Sequence, residues 1–224
     1  MKRVFLCICL SVCCSLSCFE TRLLLIRHGE TDWNAEGRLQ GRTNIPLNQR
    51  GIAQAQEMAQ MISLFHPDIG AIYSSNLSRA YQTACIVAEV FQLPVHQCGL
   101  LAEYDVGEAR GKTEAEIVEL YGSEEVLIKR YPDHRERWNH SLIPGQELIN
   151  DRIRRVRAAL IEIAKEHPHE KVAVFTHRGC LRAFIADVGD ISEVDSIHIP
   201  NCAAIEVIYH SESQNKPFEI LCKN

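Results

Sequence analysis

Several absences narrow what this chain can be. No two cysteines stand in Cys-x-x-Cys spacing, and beyond the first eighteen residues only Cys85, Cys98, Cys180, Cys202 and Cys222 remain, an odd and scattered set. Such a set offers neither a thiolate zinc site nor a disulfide framework, and reads as small buried hydrophobes. His134, His140, His167 and His169 show no metal-ligand geometry either. Cationic charge is not in surplus: the net charge is −5, and −7 without residues 1–18, which carry Lys2, Arg3 and no acid. A nucleic acid is therefore not an expected partner, because a long polyanion would be repelled around any local cationic pocket. Linkers, repeats and low-complexity tracts are also missing, so 224 residues with 46% hydrophobic content are read as one sizeable core.

Long apolar runs are missing too. The run that follows Lys2 and Arg3, with Cys7, Cys9, Cys13, Cys14 and Cys18, falls short of the ~20 residues of a membrane span. It resembles a secretory signal, and Ser15-Leu-Ser-Cys18 loosely resembles a bacterial lipoprotein cleavage site that lacks leucine in its usual place. A nonfunctional extension or a misplaced start codon is the alternative. The expected organisation is a signal or lipoprotein-like segment over 1–18 and a catalytic domain over 19–224. Export or membrane attachment through that segment stands beside a cytoplasmic location, and the oligomeric state is not readable.

What is present is an alternation of strand-like and helical runs. Thr21–Ile26, Ala71–Tyr73 and Val172–Thr176 read as strands; 51–65 places Ile52, Ala55, Ala59, Ile62 and Phe65 at helical spacing before Pro67. Leu77–Phe91 and 146–167 read as further helices, Thr113 with Glu116 as a capping box, and 203–209 with 218–221 as a hairpin. The expected fold is α/β: a three-layer α/β/α sandwich with a largely parallel central sheet and an antiparallel edge hairpin.

Two of the strand-like runs end on histidine. Arg27-His28-Gly29-Glu30-Thr31 follows the first and His177 follows Val172–Thr176. Ligands of open α/β sheets sit outside the carboxyl ends of the strands, so the two imidazoles can converge there on one compact anion. A neutral imidazole is a nucleophile near pH 7, and the neighbouring guanidinium can hold phosphoryl oxygens bidentately. Gly29 would let the backbone turn sharply and come close to a ligand. Cys180, near His177, suggests a cysteine phosphatase instead, but no arginine stands at the loop spacing that such an enzyme needs.

The first motif continues as Leu25-Ile-Arg-His-Gly-Glu-Thr-Asp-Trp-Asn34, Gly37-Arg-Leu-Gln-Gly41, Ile45-Pro-Leu-Asn48, Gly51 and Gln54-Ala55. Ser74-Ser-Asn-Leu-Ser-Arg-Ala80 with Thr83-Ala84, Leu101-Ala-Glu-Tyr-Asp-Val-Gly-Glu108 with Gly111, Pro144-Gly-Gln-Glu147 and Thr176-His-Arg-Gly179 follow in order. This succession resembles the histidine phosphatase superfamily, in the branch of the cofactor-dependent phosphoglycerate mutases and their phosphatase relatives. The resemblance implies that His28 becomes phosphorylated, that Arg27, Arg79 and His177 line the phosphate pocket, and that Glu103 moves the proton. It also implies that Asn34, Gln40 and Gly41 touch the phosphate or the rest of the substrate. No metal and no cofactor are implied, since two arginines and a second imidazole can neutralise the equatorial oxygens.

Some positions depart from the family pattern. Arg178 replaces the small residue usual after the second histidine, to bind a second anionic group of the substrate or to face solvent. Gly107-Glu-Ala-Arg-Gly111 lacks the family's aromatic residue, and Gln146 and Leu148 replace Gly and Ser. The stretch from Glu103 to Pro144 is short, has no adjacent arginine pair, and carries Val106 where mutases place tyrosine. Water would reach a phosphohistidine easily, so the expected activity is that of a phosphomonoesterase acting on a small phosphorylated metabolite. A phosphoglycerate mutase and a catalytically weakened phospho-ligand binding protein are the alternatives.

Overall fold

The computed structural model describes residues 18–221, so the expected signal segment up to residue 17 and Cys222 lie outside the described residues. Chain order is β1 (Glu20–Arg27), α1 (Asp32–Ala35), α2 (Gln49–Phe65), β2 (Ile69–Ser74), α3 (Ser78–Phe91), β3 (Val95–Gln97) and α4 (Glu114–Tyr121). There follow α5 (Glu125–Arg130), α6 (His134–Arg137), α7 (Ile149–Glu166), β4 (Lys171–Thr176), α8 (Arg178–Gly189), β5 (Ala204–His210) and β6 (Phe218–Leu221).

The strands form one sheet in the order β3-β2-β4-β1-β5-β6. The first four are parallel; β5 runs antiparallel to β1, and β6 to β5, as the expected edge hairpin. β1 and β4 are almost uninterrupted apolar runs because helices cover both faces of the sheet. Successive side chains alternate between the faces: Leu23, Leu25, Val172 and Val174 pack with Val156, Leu160 and Ile163 of α7 and Leu181 and Phe184 of α8. Leu24, Ile26, Ala173 and Phe175 pack with Met58, Ala59 and Ile62 of α2 and Ala84 and Val87 of α3. The result is the three-layer sandwich, in which each large buried side chain contributes about 1.5–3 kcal/mol.

Caps fix where the site-bearing helices begin. Asn48 accepts the Gly51 amide at 2.8 Å, so α2 starts two residues before the periodic run. Thr113 and Glu116 form the expected capping box of α4. α7 begins at Ile149 rather than at 146: Gly145 has φ +72°, and Gln146 forms a bridge to Val106, which keeps this backbone out of the helix. α1, β3, α5, α6 and α8 are additional to the elements read from the sequence. Among the described residues, no helix is long and apolar enough to cross a membrane.

Register positions the two histidines. Arg27 is the partner of Thr176 on adjacent parallel strands, so His28 and His177 leave the sheet at the same level. Ser75 follows β2 on the other side of β4, beside His177.

Candidate active site

The backbone of His28 is clamped on three sides. Its amide donates to the Thr176 carbonyl at 3.1 Å, while its carbonyl accepts from the Cys202 amide at 3.3 Å and from Asn201 Nδ2 at 3.0 Å. In the ring, Nδ1 lies 2.6 Å from the Gly29 carbonyl oxygen. A carbonyl can only accept, so Nδ1 carries the proton and Nε2 keeps its lone pair. Arg79 Nε donates to that lone pair at 3.2 Å. Burial, then the charges of Arg79 and Arg27, hold the His28 pKa well below its ordinary value, so the ring is neutral at pH 7.

Gly29 serves packing rather than a sharp turn. A Cβ there would lie 2.5 Å from the Gly51 carbonyl oxygen, so its absence lets the loop after β1 touch the start of α2. The Gly29 amide donates to Thr83 Oγ1 at 3.1 Å, which ties the same loop to α3.

Arg79 is buried in the first turn of α3, with Nη1 and Nη2 each 2.8 Å from the carbonyls of Thr43 and Gly41. Gly41 has φ +52°, and a Cβ on it would meet Val106 Cγ2 at 2.7 Å. Arg27 donates from Nη1 to the Ile199 carbonyl at 2.6 Å. Burial lowers the pKa of both arginines to about 10, helped at Arg27 by the charge of Arg178, yet both stay cationic at pH 7.

The His177 ring lies 5.2 Å from that of His28, centroid to centroid. Its Nε2 is fixed by Ser75 Oγ at 2.8 Å, and burial, then Arg79, holds its pKa well below the ordinary value. Glu103 accepts from the Gly179 amide at 3.0 Å on Oε2, and from the Tyr104 amide at 3.1 Å and the Cys180 thiol at 3.6 Å on Oε1. The two strand ends, the α3 arginine and the loop carboxylate therefore meet.

Of the buried polar atoms without a hydrogen-bond partner among the described residues, Arg27 Nε and His177 Nδ1 belong to this site and Gln40 Oε1 and Thr43 Oγ1 to the loop that holds Arg79; Arg152 Nε and His134 Nε2 are the others. Each such atom costs about 1–3 kcal/mol, a pattern expected where a ligand supplies the missing bonds. Asn34 Oδ1 accepts from the Thr31 amide in the capping box of α1 and from Asn201 Nδ2. Arg178 is exposed at the first position of α8.

Sequence reading missed the residues that hold these groups. Arg155 pairs with Glu147 at 2.6 Å and donates to the carbonyls of Leu100 and Ala102 at 2.6 and 2.7 Å, which anchors the turn before Glu103. Arg152 stacks its guanidinium 3.4 Å from the Tyr104 ring centre. The motif around Glu147 was the available signal; Arg152 and Arg155 gave none, since they look like the solvated face of a charged helix. Cys180 is no nucleophile, because burial, then the Glu103 carboxylate, pushes its thiol up to about 12. Among the described residues, no group of three or more His, Cys, Asp or Glu could hold a metal ion.

Residues 23–216 match the histidine phosphatase superfamily, branch 1. The chain belongs to that superfamily. It is 34% identical over 200 residues to phosphoserine phosphatase 1 of Hydrogenobacter thermophilus, covering 87% of this chain and 89% of that one. It is also 35% identical over 181 residues to the metal-independent phosphoserine phosphatase of Arabidopsis thaliana, covering 79% and 72%. Among solved structures, it is similar to a mycobacterial glucosyl-3-phosphoglycerate phosphatase in complex with VO3. The TM-score is 0.76 at 25% identity, over 91% of this chain and 98% of that one. This member of the histidine phosphatase superfamily is thus a phosphatase, a hydrolase of the phosphoglycerate mutase-like type.

Proposed function

We propose that this histidine phosphatase hydrolyses a small phosphomonoester without a metal, through a phosphohistidine on His28. One observation carries the reading: the Nδ1 bond to the Gly29 carbonyl leaves Nε2, backed by two buried arginines, as an uncharged nucleophile.

In the first step the Nε2 lone pair forms a bond to phosphorus while the ester P–O bond breaks. Arg27, Arg79 and His177 hold the equatorial oxygens, and Glu103 passes a proton to the departing oxygen. In the second step water attacks phosphorus, Glu103 takes a proton from it, and the P–N electron pair returns to Nε2. Atoms and charge balance, and the ring regains its starting tautomer because Nδ1 keeps its proton throughout. Positioning and charge stabilisation of this kind suffice for phosphoryl transfer.

The altered Glu108-Ala-Arg110 stretch does not weigh against catalysis. Glu108 accepts from Tyr121 Oη at 3.1 Å and Arg110 lies 3.5 Å from Asp105, so both are tied within the loop. Relatives named phosphoserine phosphatases support hydrolysis over mutase activity.

The test is phosphate release from a panel of phosphomonoesters in excess chelator, for the wild type and His28→Ala. Turnover in the first and none in the second is expected. Full activity of His28→Ala would end the reading, and phosphoryl exchange between phosphoglycerate hydroxyls without phosphate release would replace it with the mutase.

A further inference from the structure

We infer that Ser75 fixes the tautomer of His177, so that this ring meets the phosphoryl group with an N–H at Nδ1 and keeps a lone pair at Nε2, a role that rests on the phosphatase reading above. Ser75 and His177 are both fully buried. Nε2 of the ring lies 2.8 Å from Ser75 Oγ, and Nδ1 has no hydrogen-bond partner among the described residues. A phosphoryl oxygen held by His177 is therefore met by Nδ1. Burial, then the charge of Arg79, holds the His177 pKa well below its ordinary value, so the ring carries a single proton at pH 7. A phosphoryl oxygen accepts and does not donate, which puts that proton on Nδ1.

Ser75 supplies the reason that it stays there. The Ser75 amide donates to the Phe175 carbonyl at 2.9 Å, its carbonyl accepts from Ser74 Oγ at 2.8 Å, and its Oγ accepts from the Leu77 amide at 3.2 Å. The hydroxyl hydrogen is what remains, and the acceptor in reach among the described residues is His177 Nε2. The opposite assignment, with Nε2–H donating to Oγ, leaves a fully buried hydroxyl hydrogen without an acceptor and turns a lone pair toward the anion. Hydrogen-bond counting and the demand of the anion thus select the same tautomer.

The two histidines then carry the same tautomer and use opposite nitrogens. The Gly29 carbonyl holds the Nδ1 proton of His28 and leaves Nε2 as the nucleophile. Ser75 caps Nε2 of His177 and leaves Nδ1–H as a donor to the oxygens. The sheet sets this pairing, because Ser75 follows β2 and His177 follows β4, adjacent parallel strands in which Ser74 is the partner of Phe175. Ser75 acts through the ring and is a positioning residue.

The test is nitrogen–proton correlation NMR at pH 7 on the full chain with isotope-labelled histidine, His177 being assigned by the signals lost in His177→Asn. A neutral ring protonated at Nδ1 is expected in the wild type, with and without inorganic phosphate. Ser75→Ala should lose that single state and populate Nε2–H, whereas Ser75→Thr, which keeps the hydroxyl, should retain it; unshifted signals from histidines outside the site report an intact fold. Inorganic phosphate should bind Ser75→Ala about tenfold more weakly, and kcat/KM should fall by about tenfold to a hundredfold, below the cost of about a hundredfold to a thousandfold for removing an oxyanion donor outright. A proton on Nε2 in the wild type, a doubly protonated ring in the phosphate complex, or an Nδ1–H state that survives unchanged in Ser75→Ala overturns the inference. No turnover with any ester, alongside an Nδ1–H that depends on Ser75, would instead end the phosphatase reading and leave this one standing.

Discussion

Gly179→Ala displaces the Glu103 carboxylate without touching the nucleophile. A Cβ at Gly179 would sit 2.5 Å from Tyr104 Cδ1 and Cε1 and 2.6 Å from Glu103 Oε1. The tyrosine ring cannot retreat freely, because the Arg152 guanidinium lies 3.4 Å from its centre. Relief must come from the carboxylate, by roughly 1 Å, and a misplacement of about 1 Å costs about a hundredfold in rate. Alanine gains about 1 kcal/mol of helix propensity over glycine, while overpacking costs about 1–3 kcal/mol. The net change of about 0–2 kcal/mol leaves the fold in place. The assay is stopped-flow followed by rapid quench. With p-nitrophenyl phosphate the leaving group needs no proton, so a burst of nitrophenolate persists and the later turnover slows about a hundredfold. With an alkyl ester, adduct formation itself slows about a hundredfold. Unchanged adduct formation from the alkyl ester, or equal slowing of that step for both esters, would refute proton delivery by Glu103.

Further predictions concern the supports of the site. Arg79→Ala removes a donor to His28 and leaves the Gly41 and Thr43 carbonyls without their buried partner; kcat/KM should fall about a thousandfold, with about 2–4 kcal/mol of stability lost by urea unfolding. Because His28 and His177 have pKa values held far below that of an unfolded histidine, the unfolded chain binds more protons than the native one once the pH drops below about 6.5. Their contribution to stability is complete above that pH and is lost as pH falls, with a slope approaching about 2.7 kcal/mol per pH unit for two groups. Urea titrations between pH 7 and pH 5.5 should show the slope reduced by about half in His28→Gln; an identical slope in the variant would contradict the assignment. Arg155→Met takes from Glu147 its two-pronged partner, leaving the half-exposed Arg42 at 3.6 Å, and frees the carbonyls before Glu103, so stability should drop by about 3 kcal/mol and kcat should fall while inorganic phosphate still binds. Adding Glu147→Leu should restore stability but not kcat.

The parts of this account visible in the sequence were those written in local pattern. Apolar runs before His28 and His177 marked two parallel strands covered on both faces, and the family motifs named the groups that meet at their ends. The hairpin of β5 and β6 and the capping box of Thr113 were equally local. Other features depend on partners distant in the chain. Gly29 looked like a turn at a ligand, yet its reason is Gly51 across the loop. Arg155 resembled a solvated helix charge until α7 docked beside the turn before Glu103. Asn34 completes the capping box of α1 and meets Asn201, a pairing that only the return of the chain to β5 creates. α8 could have been found, since Cys180, Leu181 and Phe184 are buried at helical spacing directly after the second histidine motif.

The central claim is a covalent bond between His28 Nε2 and phosphorus. The direct measurement is rapid-quench mass analysis of the chain mixed with L-phosphoserine, 3-phosphoglycerate and p-nitrophenyl phosphate in chelator, with inorganic phosphate followed in parallel. A transient, acid-labile phosphoryl adduct that maps to His28, with release of phosphate, is the predicted result. Phosphate release at full rate with no adduct at any time, or with the adduct on another residue, would contradict it.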